Sequence, residues 1–349
     1  MKIIQKPFGK TSSGERIDLY SITSRDNAEI KVMNYGATIT SISIPDNKDR
    51  LANIVAGFDR FEDYLSVEYQ RARPYFGATI GRYANRINRG TFEIDGHIYH
   101  IPCNLGDVAI HGGAGGFDRK VWNVSTKQSG EEATVILSYI SPHLEEGFPG
   151  NLRVEVRYTW NERHELLIGY TAETDRKTHL NLTNHSYFNL GGFSSDILDH
   201  ELIIHADHVT EVDDSLLPTG RLKPVHGTCL DFNSPQTIGS RITECNGFDH
   251  NYILHGDAGK LRQVASVADR HSGRKMDVLT TEPALQFYTA NWLDGTLKRD
   301  DVIFDRYSAF CLETQHYPDS PNQPGFPSTL LAPGEKFKST TIYRFGIDQ

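Results

Sequence analysis

The dominant period along the chain is two. Residues 153–160 read RVEVRYTW, with Val154, Val156, Tyr158 and Trp160 alternating with Arg153, Glu155, Arg157 and Thr159. That is the pattern of a strand with one face buried and one wet. ILSYI (136–140), ELLIGYTA (165–172) and ISIPD (42–46) suit strands as well. In TFEIDGHIYHI (91–101) the pair Asp95-Gly96 separates two strand-like runs, the strongest short hairpin signal in the chain. GEKFKSTTIYRF (334–345) predicts a further strand after the Pro333-Gly334 turn. Helical periodicity is poor. RFEDYLSVEYQ (60–70) predicts one short helix with Phe61, Tyr64 and Leu65 on one face, and a second helical turn is expected after Asn233-Ser234-Pro235. The 30 glycines and 15 prolines are spread as turns between strands, and no repeat, linker or shift in composition divides the chain. The expected architecture is all-β: one domain over 1–349, a large antiparallel β-sandwich of two packed sheets with few short helices.

Charge and cysteine usage then narrow the partners. The net charge is -9, with both signs interspersed, so there is no basic footprint for nucleic acid and no polybasic membrane anchor. The opening MKIIQKPFGK is too short in apolar residues for a secretory signal, and no apolar run spans a bilayer. Cys103, Cys229, Cys245 and Cys311 lie far apart with no CxxC pair. Free thiols, no disulfide framework and no metal site are therefore expected, with a cytoplasmic location. HADH (205–208) does not change this, since residues i and i+3 of a strand point to opposite faces.

Four turn-rich segments concentrate polar residues beside apolar ones. GRYANRINRG (81–90) offers Arg82, Asn85, Arg86 and Arg89 as donors to a ligand or as a solvated basic loop. AIHGGAGGFDR (109–119) presents His111 before a glycine-rich loop, without the spacing of a nucleotide-binding loop. NLTNHSYFNLGG (181–192) sets His185 among amides and aromatics. In AFCLETQHYPDSPNQPGFP (309–327), Glu313 follows Phe310-Cys311-Leu312, where desolvation would raise its pKa and suit it to act as a base near neutrality. GFDHNYIL (247–254) supplies a second acid, Asp249, just ahead of a strand.

These segments, with NYGATITSISIPD (34–46), PYFGATIGRYANRI (74–87), IHGG (110–113), FDRKVW (117–122), EEGFPGNL (145–152), QFYTANWLDG (286–295) and CLETQHYPDSPNQPGFPS (311–328), form an ordered set over nearly the whole chain. Together they resemble the aldose 1-epimerase family, and are closest to its animal-type members. The resemblance implies a supersandwich fold with the sugar in a cleft on one sheet. It implies Glu313 as general base, His185 as general acid and His111 as a second active-site histidine. Arg86, Asn85, Asp249 and Gln286 become the binders of sugar hydroxyls. The activity implied is interconversion of the α and β anomers of a free hexose such as D-galactose, by ring opening, rotation about C1–C2 and re-closure. No cofactor, metal or macromolecular partner is needed, and a monomer is expected. A carboxylate of modestly raised pKa and a histidine near its ordinary pKa would match neutral pH. Tyr187, Phe287 and Trp292 are open between packing on the sugar and filling the core. Three rivals remain: a hexose-6-phosphate epimerase using Arg71, Arg73 and Arg89 for the phosphate, a non-catalytic carbohydrate-binding protein, and a glycoside hydrolase using Asp249 and Glu313.

Overall fold

The computed structural model describes residues 1–348. Every paired ladder of strands among them is antiparallel, as short connections between consecutive strands favour. The RVEVRYTW run lies in the strand Leu152–Asn161, whose alternate residues Val154, Val156, Tyr158 and Trp160 are fully buried while Arg153 and Arg157 face water. It sits in a nine-stranded sheet between Glu132–Ser141 and Glu165–Thr174, and Phe337–Ile347 continues that sheet beyond Glu165–Thr174. The first fifty residues make a five-stranded meander from Lys2–Lys10 to Leu51–Asn53.

A second five-stranded sheet carries the chemistry. Its order is Pro218–Pro224, Ala206–Val212, Asp249–Leu254, Ala284–Tyr288 and Cys311–Gln315. One apolar core joins the three large sheets: Ile30 and Ile42 from the meander, Val156 and Leu166 from the nine-stranded sheet, Leu285, Phe287 and Leu312 from the chemical one. Asp95 and Gly96 both take positive φ, 51° and 79°, the type I′ geometry that lets two residues join Thr91–Ile94 to His97–His100. The 60–70 segment forms two short helices rather than one. Phe61–Tyr64 ends at Leu65, and Ser66 caps Val67–Ala72 by accepting a hydrogen bond from the Tyr69 N–H. A serine that can cap competes with continuing the first helix. The turn expected after Pro235 arrives as Gly239–Ile242. No helix among the described residues is long and apolar enough to cross a membrane.

The cysteines depart from expectation. Cys229 and Cys245 form a disulfide, leaving exposed Cys103 and buried Cys311 as thiols. Their sequence separation of 16 gave no signal. Both side chains pack against the core from loops flanking Gly239–Ile242, and that packing brings their Cα atoms to 6.1 Å. Closing a loop of this length removes about 3 kcal/mol of unfolded-state freedom. Reduction is therefore expected to lower the urea midpoint, and replacing both cysteines with serine should do the same. Equal midpoints with and without reductant would show that the bond contributes nothing.

Candidate active site

The pleat of the second five-stranded sheet builds the floor of the site. Cross-strand register aligns Asn251 with Gln286 and Gln286 with Glu313, so these three side chains share one face. Asp249, Tyr288 and Cys311 make the adjacent row on that face. The intervening residues Tyr252, Leu285, Phe287 and Leu312 point the other way, into the core. Glu313 is thus central in its strand, not at the end, and is only 2% exposed. Gln286 Nε2 donates to Asp249 Oδ1 at 2.6 Å, which orients both groups.

The walls come from loops that short ladders hold together. Arg86–Asn88 pairs with Val108–Ile110 and puts Arg86 opposite Ile110, so Asn85, Arg86 and His111 arrive side by side. The His111 N–H donates to the Asn85 carbonyl, and the Asn85 N–H donates back to His111 Nδ1 at 3.3 Å. A neutral His111 therefore carries its proton on Nε2. Gly112, at φ 83°, allows the loop to fold under His111; a Cβ there would stand 2.0 Å from the Gly81 carbonyl oxygen. Arg86 donates to Asn85 Oδ1 at 3.3 Å and lies 3.6 Å from Asp249 Oδ2. His185 follows Thr183–Asn184, which pairs with Thr79–Ile80. The His185 N–H donates to the Ala78 carbonyl, and its own carbonyl accepts from the Gly77 N–H. Its ring stacks on Tyr187 at 5.1 Å and on Tyr75 at 5.9 Å. His111 meets the rings of Tyr75 and His185 edge-on.

His185 Nε2 lies 3.6 Å from Glu313 Oε2, an oxygen with no hydrogen-bond partner among the described residues. Burial, then the charge of Asp249, pushes the Glu313 carboxyl well above the usual range, with Arg86 opposing. Burial lowers His185 to about 3, against the expectation of an ordinary histidine. Burial, then His185 and Arg86, holds His111 well below its usual value. Burial thus disfavours the charged form of both His185 and Glu313.

All seven residues expected at the site, Glu313, His185, His111, Arg86, Asn85, Asp249 and Gln286, line one cavity of about 740 Å³. That volume lies within the range of small-molecule sites. Of the open aromatics, Phe287 belongs to the core, Trp292 stands 77% exposed at the cavity rim, and Tyr187 both lines the cavity and packs in a buried cluster. Tyr75, Tyr288 and Cys311 escaped sequence reasoning. For Tyr288 the signal was present, since the period of two puts it on the face of Gln286 and sends Phe287 inward.

Arg82 is not a ligand donor. It is buried, donating to Ser141 Oγ and to the carbonyls of Ser141, Pro142 and Pro149 at 2.8–3.0 Å. Arg82→Met would strand those carbonyls, at about 1–3 kcal/mol for each one left dry. We expect a loss of roughly 3 kcal/mol or more in urea unfolding, and a wild-type midpoint would refute the network's importance.

An antiparallel sandwich holds a buried histidine and glutamate beneath an open, hydrogen-bonding cleft, and comparison with known proteins gives the class, an isomerase, and its family. The chain belongs to the aldose 1-epimerase family, whose model matches residues 18–344. Human galactose mutarotase is 43% identical over 345 residues, covering 97% of this chain and 97% of that protein. The aldose 1-epimerase of Escherichia coli K12 is 35% identical over 334 residues, covering 93% and 94%. Among solved structures, the galactose 1-epimerase of Lactobacillus acidophilus superposes with a TM-score of 0.85 at 28% identity, covering 100% of this chain and 99% of that one.

Proposed function

We propose that this isomerase interconverts the α and β anomers of free D-galactose, and of D-glucose, with Glu313 and His185 as the proton-transfer pair. The observation that carries the reading is the 3.6 Å approach of His185 Nε2 to an unpartnered Glu313 oxygen at the buried floor of the cleft. The pair holds one proton. It enters ring opening as imidazolium and carboxylate, an arrangement favoured when Arg86 and sugar hydroxyls face Glu313. Glu313 takes the proton of the C1 hydroxyl while His185 gives its proton to O5 as the C1–O5 bond breaks. The pair is then neutral, the form that burial favours in each group. Rotation about C1–C2 and the reverse transfers close the ring on the other carbonyl face. Asn85, Arg86, Asp249 and Gln286 hold the hydroxyls. His111 donates from Nε2.

A phosphorylated substrate is less well served. Of the three arginines weighed for a phosphate, Arg73 is bound to Asp118 at 3.2 Å and Arg89 lies outside the cavity, so only Arg71 is left, with Arg119 as a further cation on the wall. We read 1–349 as one domain, because a single core draws on residues from Tyr20 to Phe345. We read it as a monomer, because one chain supplies every wall of the cleft. A cytoplasmic location fits the free thiols Cys103 and Cys311, but the Cys229–Cys245 bond speaks for an oxidising compartment. Polarimetry of freshly dissolved α-D-galactose tests the function, with D-galactose 6-phosphate as comparison. Folded protein that leaves the spontaneous rate of free galactose unchanged sinks the reading.

A further inference from the structure

One side chain of the cleft floor, Cys311, has no part in the proposed proton transfer and lies beside both residues that do. A nitrogen of His185, the Cys311 sulfur and a Glu313 carboxylate oxygen all lie within 4.8 Å of one another. Cys311 Sγ is 3.5 Å from His185 Nδ1. Cys311 and Glu313, two residues apart on one strand, project from the same face. All three side chains are buried, and Glu313 Oε2 has no hydrogen-bond partner among the described residues. We propose that His185, Cys311 and Glu313 form a three-ligand site for a thiophilic divalent cation such as zinc, and that filling it shuts the reaction off.

The chemistry of the donor set supports this. A nitrogen, a thiolate and a carboxylate bind zinc at about 2.0–2.3 Å, so a tetrahedral ion holds its ligand atoms about 3.3–3.8 Å apart. The three groups, within 4.8 Å of one another, need to close by up to about 1.5 Å to reach that geometry. His185 and Glu313 line the cavity, from which a water can complete the shell. The sulfur selects zinc, cobalt or cadmium over magnesium and calcium, which prefer all-oxygen sites. On binding, the Cys311 thiol and any protonated Glu313 carboxyl release their protons to the buffer. The ion then occupies the imidazole lone pair and the carboxylate together. The inhibitory part of the proposal rests on the roles assigned to these two residues above; the binding part does not.

The test is titration of the metal-free full-length protein with cobalt(II), followed by zinc. The expected result is a near-ultraviolet thiolate-to-cobalt charge-transfer band that saturates stoichiometrically and is displaced by zinc. The band should survive Cys103→Ser and vanish in Cys311→Ser. Zinc should suppress polarimetric activity by at least about tenfold. Half-inhibition of Cys311→Ser should need about 10–100-fold more zinc, the loss that removal of even an outer-shell partner brings. Absence of the band, its loss in Cys103→Ser instead, or equal zinc sensitivity of Cys311→Ser would overturn the site. If Cys311→Ser misfolds by circular dichroism, X-ray absorption of the zinc-loaded native protein decides, since one sulfur ligand is required. A cobalt band in a protein without mutarotase activity leaves the site standing and refutes the function. Activity without a band does the reverse.

Discussion

Glu313→Gln is expected to leave the protein folded and to lower its catalysed rate on fresh α-D-galactose by about 10²–10⁴-fold, the contribution of one positioned proton-transfer group. The amide has the shape of the carboxyl, so the packing of the Cys311–Gln315 strand is kept, but it cannot take the proton of the C1 hydroxyl. Stability should not fall. Burial raises the Glu313 pKa in the folded protein, so ionised Glu313 opposes folding once the pH passes its unfolded value. Glutamine carries no such cost, and the variant should unfold no earlier than wild type at neutral pH. A full wild-type rate would remove Glu313 from the base role. A low rate with an early melt would point to damage rather than chemistry.

His185→Asn is expected to cost a comparable factor, and the double variant Glu313→Gln/His185→Asn no more than about tenfold beyond the worse single one. Groups that act as a unit lose most of their value when either is removed. The physical ground is the proposed pairing: burial disfavours the charged form of His185 and of Glu313 alike, and His185 Nε2 lies 3.6 Å from Glu313 Oε2, so each is placed to serve the other's proton transfer. Polarimetric rates for the two single variants and the double variant form the test. If the two single losses multiply in the double variant, the residues act independently and the shared-proton mechanism is wrong.

The period of two made the sandwich legible, because strands such as Leu152–Asn161 bury alternate residues without interruption. The seven residues that line one cavity came to notice through the family resemblance, as a set of segments whose convergence no spacing rule announces. Two features were hidden for a common reason: both depend on contacts between segments. The disulfide joins loops brought together only by packing on the core. The depressed basicity of His185 comes from Tyr75, Tyr187 and the sheet floor closing around it. For Phe287 and Tyr288 the pleat alone carries the answer, since neighbours in one strand face opposite ways and Tyr288 shares the face of Gln286.

That pleat also limits how such a protein can change over time. Loops around the rim, such as those bearing Leu105, Leu216 and Trp292, can lengthen or exchange residues and so alter which sugars enter. The Cys311–Gln315 strand has no such freedom. Inserting a single residue between Leu312 and Glu313 would turn one half of the strand over, sending either the carboxyl into the core or Leu312 into the cleft, with loss of activity or of packing. Length variation among descendants of this chain is therefore confined to the rim, while the floor can change only by substitution in place.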